Sequence, residues 1–267
     1  MVDLDVYTNV YFSNGFDVPY KLRDGGEISI KPVLVKDYNI YEWACQVIQL
    51  LKNETNDVNI IQMSYLQYLV EVVFPQNEEF KNMFMYLLSL CLGVQKASYF
   101  KNDKGKWRLA LCDDEDIVIG IVTPKEWDEI MFIILNQNDA HYDNRYVNPE
   151  VREMMQEYYK IKYRDIVQPS LEKRKAFVCS KIGKTFKELS ELTIREFNEI
   201  YKACVDSEIY LATKITEASY KYEVKQQAKH PLFEADVDAY EEAFSDTNVL
   251  QNKGLSGANN IGQSIGD

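Results

Sequence analysis

Histidine is scarce in this chain of 267 residues, which contains only His141 and His230. The scarcity limits acid–base catalysis and transition-metal binding, because imidazole serves both roles more often than most side chains. Asp139, His141 and Asp143 would lie on one face of an extended strand and could then hold a metal ion. The asparagines around them favour a polar loop instead, and we predict no metal site.

Cysteine pairs with metal-binding or redox spacing are also lacking. The cysteines are odd in number, widely spaced and without a C-x-x-C pair, a pattern that disfavours a zinc site or a disulfide framework. It is typical of reduced thiols in a cytoplasmic fold. The residues are Cys45, Cys91, Cys112, Cys179 and Cys204.

No apolar run approaches the roughly 18 residues that a membrane helix requires. The N-terminal residues MVDLD are acidic and lack the apolar region of a secretory signal,. We therefore expect no membrane partner and a protein kept in the cytoplasm unless it is exported as part of an assembly. The formal net charge of −12 argues against a surface that binds nucleic acid throughout,.

Motifs for catalysis and nucleotide binding are incomplete. Gly183, Lys184 and Thr185 match the end of a P-loop, but Val178 stands where the motif needs its first glycine,. No G-x-S-x-G is present,. The acidic run 113–116 lacks the spacing of a calcium loop and favours a solvated hairpin tip,. We predict no catalytic residue, no cofactor and no small-molecule substrate. An enzyme remains the weakest alternative, because side chains distant in sequence can meet in space.

A strong apolar pattern runs instead through residues 27–92. Ile28 and Ile30 alternate with polar residues, which predicts a strand that pairs with residues 20–22 across the turn 24–26,. Apolar residues then recur at helical spacing from Ile40 to Leu51, and two more helix-length segments follow, at 60–74 and 80–92,. This pattern predicts a packed scaffold.

The middle of the chain predicts a second hairpin and a well-capped helix. Residues 107–111 and 117–122 are β-prone runs on either side of the acidic turn,. Thr123 and Glu126 form a capping box with Pro124 at the first helical position, which predicts a helix to about Asn136,.

Residues 136–148 are polar, and mainly helical patterns follow. Helices are predicted from Pro149, from Leu171 to about Ile182, and from a capping box at Thr193,. An apolar stripe continues the last helix to about Tyr222. We predict an α+β, predominantly helical fold with small β-hairpin elements near residues 20–33 and 107–122. The predicted parts are a mixed N-terminal part at 1–140, a helical part at 141–230 and a tail at 231–267.

The tail has two compositions. Residues 233–244 are acidic with sparse apolar anchors, and residues 254–267 are rich in Gly, Ser and Asn, which predicts a segment that does not fold alone,. We expect a neighbouring chain to hold it, and we expect a chain shortened from Pro231 to stay folded while assembling less well. The predicted partner-binding residues of the tail are Leu232, Phe233, Tyr240 and Phe244.

A basic region at residues 160–187 allows two interpretations. A nucleic-acid groove is one, but the interspersed carboxylates favour a solvated helix face, so we do not expect nucleic acid as a partner,. Alternatively, this face receives the acidic tail of a neighbouring copy or partner. The residues predicted to do so are Lys173, Arg174 and Lys175.

Several segments taken together resemble tail and baseplate proteins of long-tailed phages that infect Gram-positive bacteria. The resemblance covers residues 27–95 and 185–232 and is closest to baseplate hub or tail-assembly proteins. The segments that carry it are ISIKPV at 28–33, VKDY at 35–38, LLKN at 50–53, IIQMSYL at 60–66 and LTIREFN at 192–198.

The resemblance implies a non-enzymatic role in building a phage tail through protein–protein contacts. The expected partners are other tail or baseplate proteins, or copies of this chain, and the expected locations are the virion and, during assembly, the host cytoplasm. A tail-assembly chaperone that leaves the finished particle is one alternative. A regulatory protein that binds nucleic acid is another, from a different class. A lone subunit of such an assembly is expected to expose an apolar patch where partners dock.

Overall fold

The computed structural model describes residues 4–55, 57–140, 149–162 and 169–219. The chain divides into two compact units, one of Met1–Arg145 with Glu172–Cys204 and one of Tyr146–Leu171 with Val205–Asp267. The first unit thus extends beyond the N-terminal part predicted at 1–140. Backbone hydrogen bonds explain the extension, since Val35 N donates to Leu192 O and Ile194 N donates to Val33 O, both at 2.9 Å.

The first unit begins with helix α1 (Leu4–Val10) and a hairpin of strands β1 (Val18–Lys21) and β2 (Glu27–Ile30). The strands are antiparallel, with Tyr20 opposite Ile28, which confirms the predicted pairing. Val18, Tyr20, Ile28 and Ile30 are buried while the residues between them are not. The alternation therefore places one face of the hairpin in the core.

Five α-helical segments follow the hairpin within the described residues. The segment predicted as one helix at 60–74 is broken at Met63, whose backbone is extended, and restarts at Ser64, whose hydroxyl accepts from Gln67 N. The restarted helix passes through a π-helical turn, Leu69–Val73, before it ends at Gln76. The helices are α2 (Tyr38–Cys45), α3 (Val58–Gln62), α4 (Tyr65–Tyr68), α5 (Phe74–Gln76) and α6 (Glu78–Leu92).

A three-stranded antiparallel sheet comes next, in the order β3 (Lys96–Lys101), β4 (Trp107–Cys112) and β5 (Val118–Val122). The pairing of β4 with β5 confirms the predicted second hairpin, whereas β3 was not predicted. Helix α7 (Pro124–Gln137) then starts from the Thr123–Glu126 capping box, as predicted.

Helix α7 lies at the centre of the hydrophobic core. Trp127, Ile130, Ile133 and Ile134 on α7 are completely buried, and the Trp127 ring lies 5.0 Å from that of Phe84 on α6. Polar side chains of α7, and that of Asn138 just after it, also hold the first hairpin and the segment that follows the hairpin. The Tyr20 hydroxyl donates to Glu129 at 2.7 Å, Arg23 N donates to Glu126 at 2.7 Å and Val33 N donates to Asn138 at 2.7 Å.

The remaining described elements are helical. Helix α8 belongs to the second unit, and α11 starts in the first unit and contributes residues from Val205 onward to the second. Glu196 and Thr193 form the predicted capping box of α11, with Thr193 N donating to Glu196 at 2.8 Å. The helices are α8 (Pro149–Lys162), α9 (Leu171–Ile182), α10 (Phe186–Ser190) and α11 (Ile194–Glu217).

The fold class is α+β and predominantly helical, with two small antiparallel sheets, as predicted. Among the described helices, none combines the length and the apolar character that crossing a membrane demands.

Candidate functional site

A groove of about 470 Å³ opens in the first unit beside the turn between β3 and β4. Its walls come from the start of the helix that begins at Tyr65, from the β3–β4 hairpin and from the first turn of α7, with Arg23 of the β1–β2 turn at the rim. We call it the Trp107 groove. It is lined by Arg23, Ser64, Gln67, Glu71, Lys101, Gly105, Lys106, Trp107, Arg108, Thr123, Pro124 and Lys125.

Glu71 is the single carboxylate in the described lining of the groove, and three side chains of the first unit already contact it. The Trp107 indole N–H donates to Glu71 Oε1 at 2.7 Å, Gln67 donates to Oε2 at 2.9 Å, and Lys101 Nζ lies 3.2 Å from Oε1. These contacts, first the bond from Gln67, lower the pKa of Glu71 below its ordinary value. Glu71 lies in the π-helical turn, a local widening of the helix that is often found at functional sites,.

Five cations surround this one carboxylate. Lys101 also lies over the Trp107 ring, 4.8 Å from its centroid, and so is held by both charge and ring. Within the ranges that the structure describes, no carboxylate pairs with the other four, which are Arg23, Lys106, Arg108 and Lys125. The groove is therefore a local positive patch on a chain of net charge −12. Such a patch attracts anionic ligands.

A second cavity, of about 420 Å³, contains two titratable groups, Lys52 and Asp128. Burial raises the pKa of Asp128 to about 6, against an opposing effect of Lys52 and a hydrogen bond from the backbone of Tyr65. Burial also lowers the pKa of Lys52. A carboxyl group with a raised pKa is a common feature of general acids and bases.

The contacts of Lys52 and Asp128 favour a structural role over a catalytic one. Lys52 Nζ donates to the carbonyls of Ile60 and Ile61, near the end of α3. Asp128 accepts from the first amide of α4. Each charge thus lies at the helix end that it stabilises. The hydroxyl of Ser64, which also lines this cavity, caps α4 by accepting from Gln67 N at 3.2 Å.

Metal-binding groups of three or more His, Cys, Asp or Glu side chains are not found among the described residues. The acidic turn at 113–116 uses its carboxylates locally. Asp113 accepts from the amides of Glu115 and Ile117, both at 2.9 Å, and Asp116 pairs with Lys96 at 2.8 Å.

An apolar helix face is exposed in the second unit. Ile209, Leu211 and Ile215 of α11 are 59%, 52% and 73% exposed. With 100° between successive residues, Leu211 and Ile215 lie 40° apart on one side of the helix, whereas Ile209 lies 160° from Leu211, on the opposite side. The predicted apolar stripe therefore changes environment along α11, because Phe197 near its start is completely buried. We call Leu211 and Ile215 the α11 face.

The predicted basic partner-binding residues lie on α9. The Arg174 guanidinium lies 5.2 Å from the Tyr38 ring centroid and 6.0 Å from that of Tyr201. Lys175 donates to Ser190 at 2.8 Å. Arg174 and Lys175 are half-buried and engaged within the first unit, while Lys173 is exposed. The predicted residues Leu232, Phe233, Tyr240 and Phe244 lie outside the described residues, and so do His141 and His230.

Sequence reasoning missed the Trp107 groove. Its one local signal is the cluster Lys101, Lys104, Lys106 and Arg108 around a single turn. Arg23 and Lys125 are too distant in sequence to be grouped with that cluster without the fold.

No family model, no curated protein and no solved structure matches this chain.

Proposed function

We propose that this chain is a non-enzymatic structural protein that acts through protein–protein contacts in a phage tail or baseplate. In this proposal it is assembled in the host cytoplasm and retained in the virion, next to other tail proteins or further copies of itself. The observation that carries the proposal is the α11 face, where two large aliphatic side chains are more than half exposed. The phage setting comes from the resemblance in the sequence.

The physical argument is the free energy of burial. Burying apolar surface contributes roughly 25 cal/mol per Å², so covering side chains such as Leu211 and Ile215 favours association by about 1 kcal/mol or more each. A second exposed apolar group, Ile117, Val118 and Ile119, lies at the start of β5 in the first unit. Exposed aliphatic residues grouped in this way are typical of contact surfaces.

The cavity with Lys52 and Asp128 gives little support for an enzyme. Both groups serve helix ends, and the described lining includes neither Cys nor His to act as nucleophile or base. We therefore propose no catalytic residue, cofactor or small-molecule substrate.

Quantitative mass spectrometry of purified particles tests the proposal. It uses particles from the strain that encodes the chain, and we expect the chain at a fixed ratio to the major tail protein in every preparation. Presence in assembly intermediates with absence from finished particles would support the alternative of a tail-assembly chaperone. Absence from both would contradict any role in assembly.

A regulatory protein that binds nucleic acid is a second candidate, and the Trp107 groove is the observation that favours it. The groove joins five cations to an aromatic ring, a combination found in proteins that bind single strands. The net charge of −12 opposes this function. A titration of a labelled single-stranded oligonucleotide at increasing salt decides the matter, because binding through phosphates must weaken steeply as salt rises.

A further inference from the structure

The Trp107 groove carries cationic charge that the described part of the chain does not neutralise. Glu71 is engaged by Trp107, Gln67 and Lys101, and its single negative charge cannot balance five cations. Arg23 and Lys106 are exposed, and Lys125 is exposed at the start of α7. A ligand that fits must therefore bring several negative charges of its own, spaced to reach different elements.

We propose that the Trp107 groove is a binding site for an acidic peptide, and that its occupant is segment 233–246 of this chain. The sequence of that segment has the matching chemistry. It contains six carboxylates within 14 residues, at Glu234, Asp236, Asp238, Glu241, Glu242 and Asp246, and no lysine or arginine. Complementary charge of this kind sets partner choice and the rate of encounter.

The groove favours a peptide over free phosphate or nucleic acid. The half-buried Trp107 ring and the methylene stems of Lys101 and Lys106 offer apolar contact area, which a phosphate group leaves unused,. Segment 233–246 supplies the aromatic residues Phe233, Tyr240 and Phe244. A long polyanion is also repelled by the negative net charge of this chain,.

This assignment moves the receptor for the tail from α9 to the β3–β4 hairpin. On α9, Arg174 and Lys175 are engaged with Tyr38, Tyr201 and Ser190. In the groove, the side chains of Lys106 and Lys125 have no such partner among the described residues. The proposed function rests on the α11 face and does not require the groove, so either can fail without the other.

Carbodiimide cross-linking of the full-length chain tests the proposal, because the reagent joins a lysine amine to a nearby carboxylate with loss of water. We expect mass spectrometry to find cross-links from Lys106 or Lys125 to carboxylates in 233–246, and we expect 1 M salt to suppress them. Mixing isotope-labelled and unlabelled chains then shows whether the segment comes from the same copy or from a second copy, and either source supports the assignment.

Charge reversal provides the matched controls. Lys106→Glu with Lys125→Glu should lower the binding of a fluorescent synthetic peptide of residues 231–247 at least about tenfold. Lys21→Glu with Lys187→Glu changes the net charge equally at exposed sites outside the groove and should leave binding within about twofold of that of the unaltered chain. Adding Glu241→Lys and Glu242→Lys to the groove variant should restore cross-links, now between the carboxylates introduced at positions 106 and 125 and the amines introduced in the segment.

Two results would overturn the assignment. One is equal peptide binding by the Lys106→Glu, Lys125→Glu variant and by the Lys21→Glu, Lys187→Glu control, with circular dichroism showing that both are folded. The other is that the chain does not bind the peptide but binds a single-stranded oligonucleotide, and that Lys106→Glu with Lys125→Glu weakens this binding. That outcome identifies the groove as a nucleic-acid site.

Discussion

Glu126 has a buried carboxylate whose removal should lower the free energy of unfolding more than the loss of a helix cap does. It is 2% exposed, and its two oxygens accept from different parts of the chain. Oε2 accepts from Thr123 N at 2.8 Å, which closes the capping box of α7, and Oε1 accepts from Arg23 N at 2.7 Å, which fixes the first hairpin to that helix. Glu126→Ala leaves both amides without this acceptor.

The expected loss follows from the two bonds. A hydrogen bond to a charged acceptor contributes about 1.5–3 kcal/mol, so we expect loss of the two bonds in Glu126→Ala to lower the free energy of unfolding by about 3–6 kcal/mol. Glu126→Gln keeps one neutral acceptor and should lose about 1–2 kcal/mol less than that. Urea unfolding at pH 7, followed by far-UV circular dichroism, measures both values.

Glu196 provides the matched control. It closes the same kind of capping box, at the start of α11, by accepting from Thr193, and within the described chain the hydrogen bonds of its carboxylate stay inside that box. Loss of a cap alone costs about 1 kcal/mol, which is the loss we expect for Glu196→Ala. Equal losses at Glu126 and Glu196 would refute the view that α7 holds the hairpin through this carboxylate.

Three further predictions concern pH, thiols and a glycine. Because the pKa of Asp128 is raised to about 6 from an ordinary value of 3.8, the folded state binds a proton that the unfolded state releases. The contribution of Asp128 to the free energy of unfolding should therefore decline as pH rises from about 4 to 6. Asp128→Asn should abolish this decline in urea titrations at successive pH values, and an unchanged decline in the variant would contradict the prediction. Burial raises the pKa of the Cys45 thiol to about 11 and also raises the pKa of Cys91. A thiol reagent at pH 8 should therefore label these two cysteines only after denaturation. Fast labelling of either cysteine in the native chain would show that the core is open. Gly93→Ala should destabilise the chain by about 1 kcal/mol in urea unfolding, because Gly93 ends α6 at φ 67°, where a side chain is strained; no loss would mean that the α6 end rearranges. In the labelling experiment at pH 8, three half-buried cysteines should react before Cys45 and Cys91, namely Cys112, Cys179 and Cys204.

The sequence predicted those elements whose signals are local. The capping boxes at Thr123 and Thr193 each lie within four residues, and both are present. The turn before β2 was found for the same reason. Strand β3 was missed because its two lysines and its exposed aromatics do not alternate like a half-buried strand.

Features that depend on distant residues could not be predicted in this way. The break at Met63 comes from the cap that Ser64 provides and from the contact of Asp128 with the next helix. The Trp107 groove requires Arg23 and Lys125, which only the packed hairpins bring beside the β3–β4 turn. The apolar stripe of α11 was visible in the sequence, but its division into a buried start and an exposed end required the fold.

Competition for incorporation into particles tests the central claim most directly. Leu211→Glu with Ile215→Glu places two charges on the α11 face, and Thr213→Glu with Thr216→Glu places the same charges on the other side of the helix. When either variant is produced together with the unaltered chain, mass spectrometry of purified particles gives their ratio. We predict that the face variant is depleted at least about tenfold while the control variant is incorporated normally. Equal incorporation of both variants, with both folded, would contradict the claim that this chain functions through its α11 face.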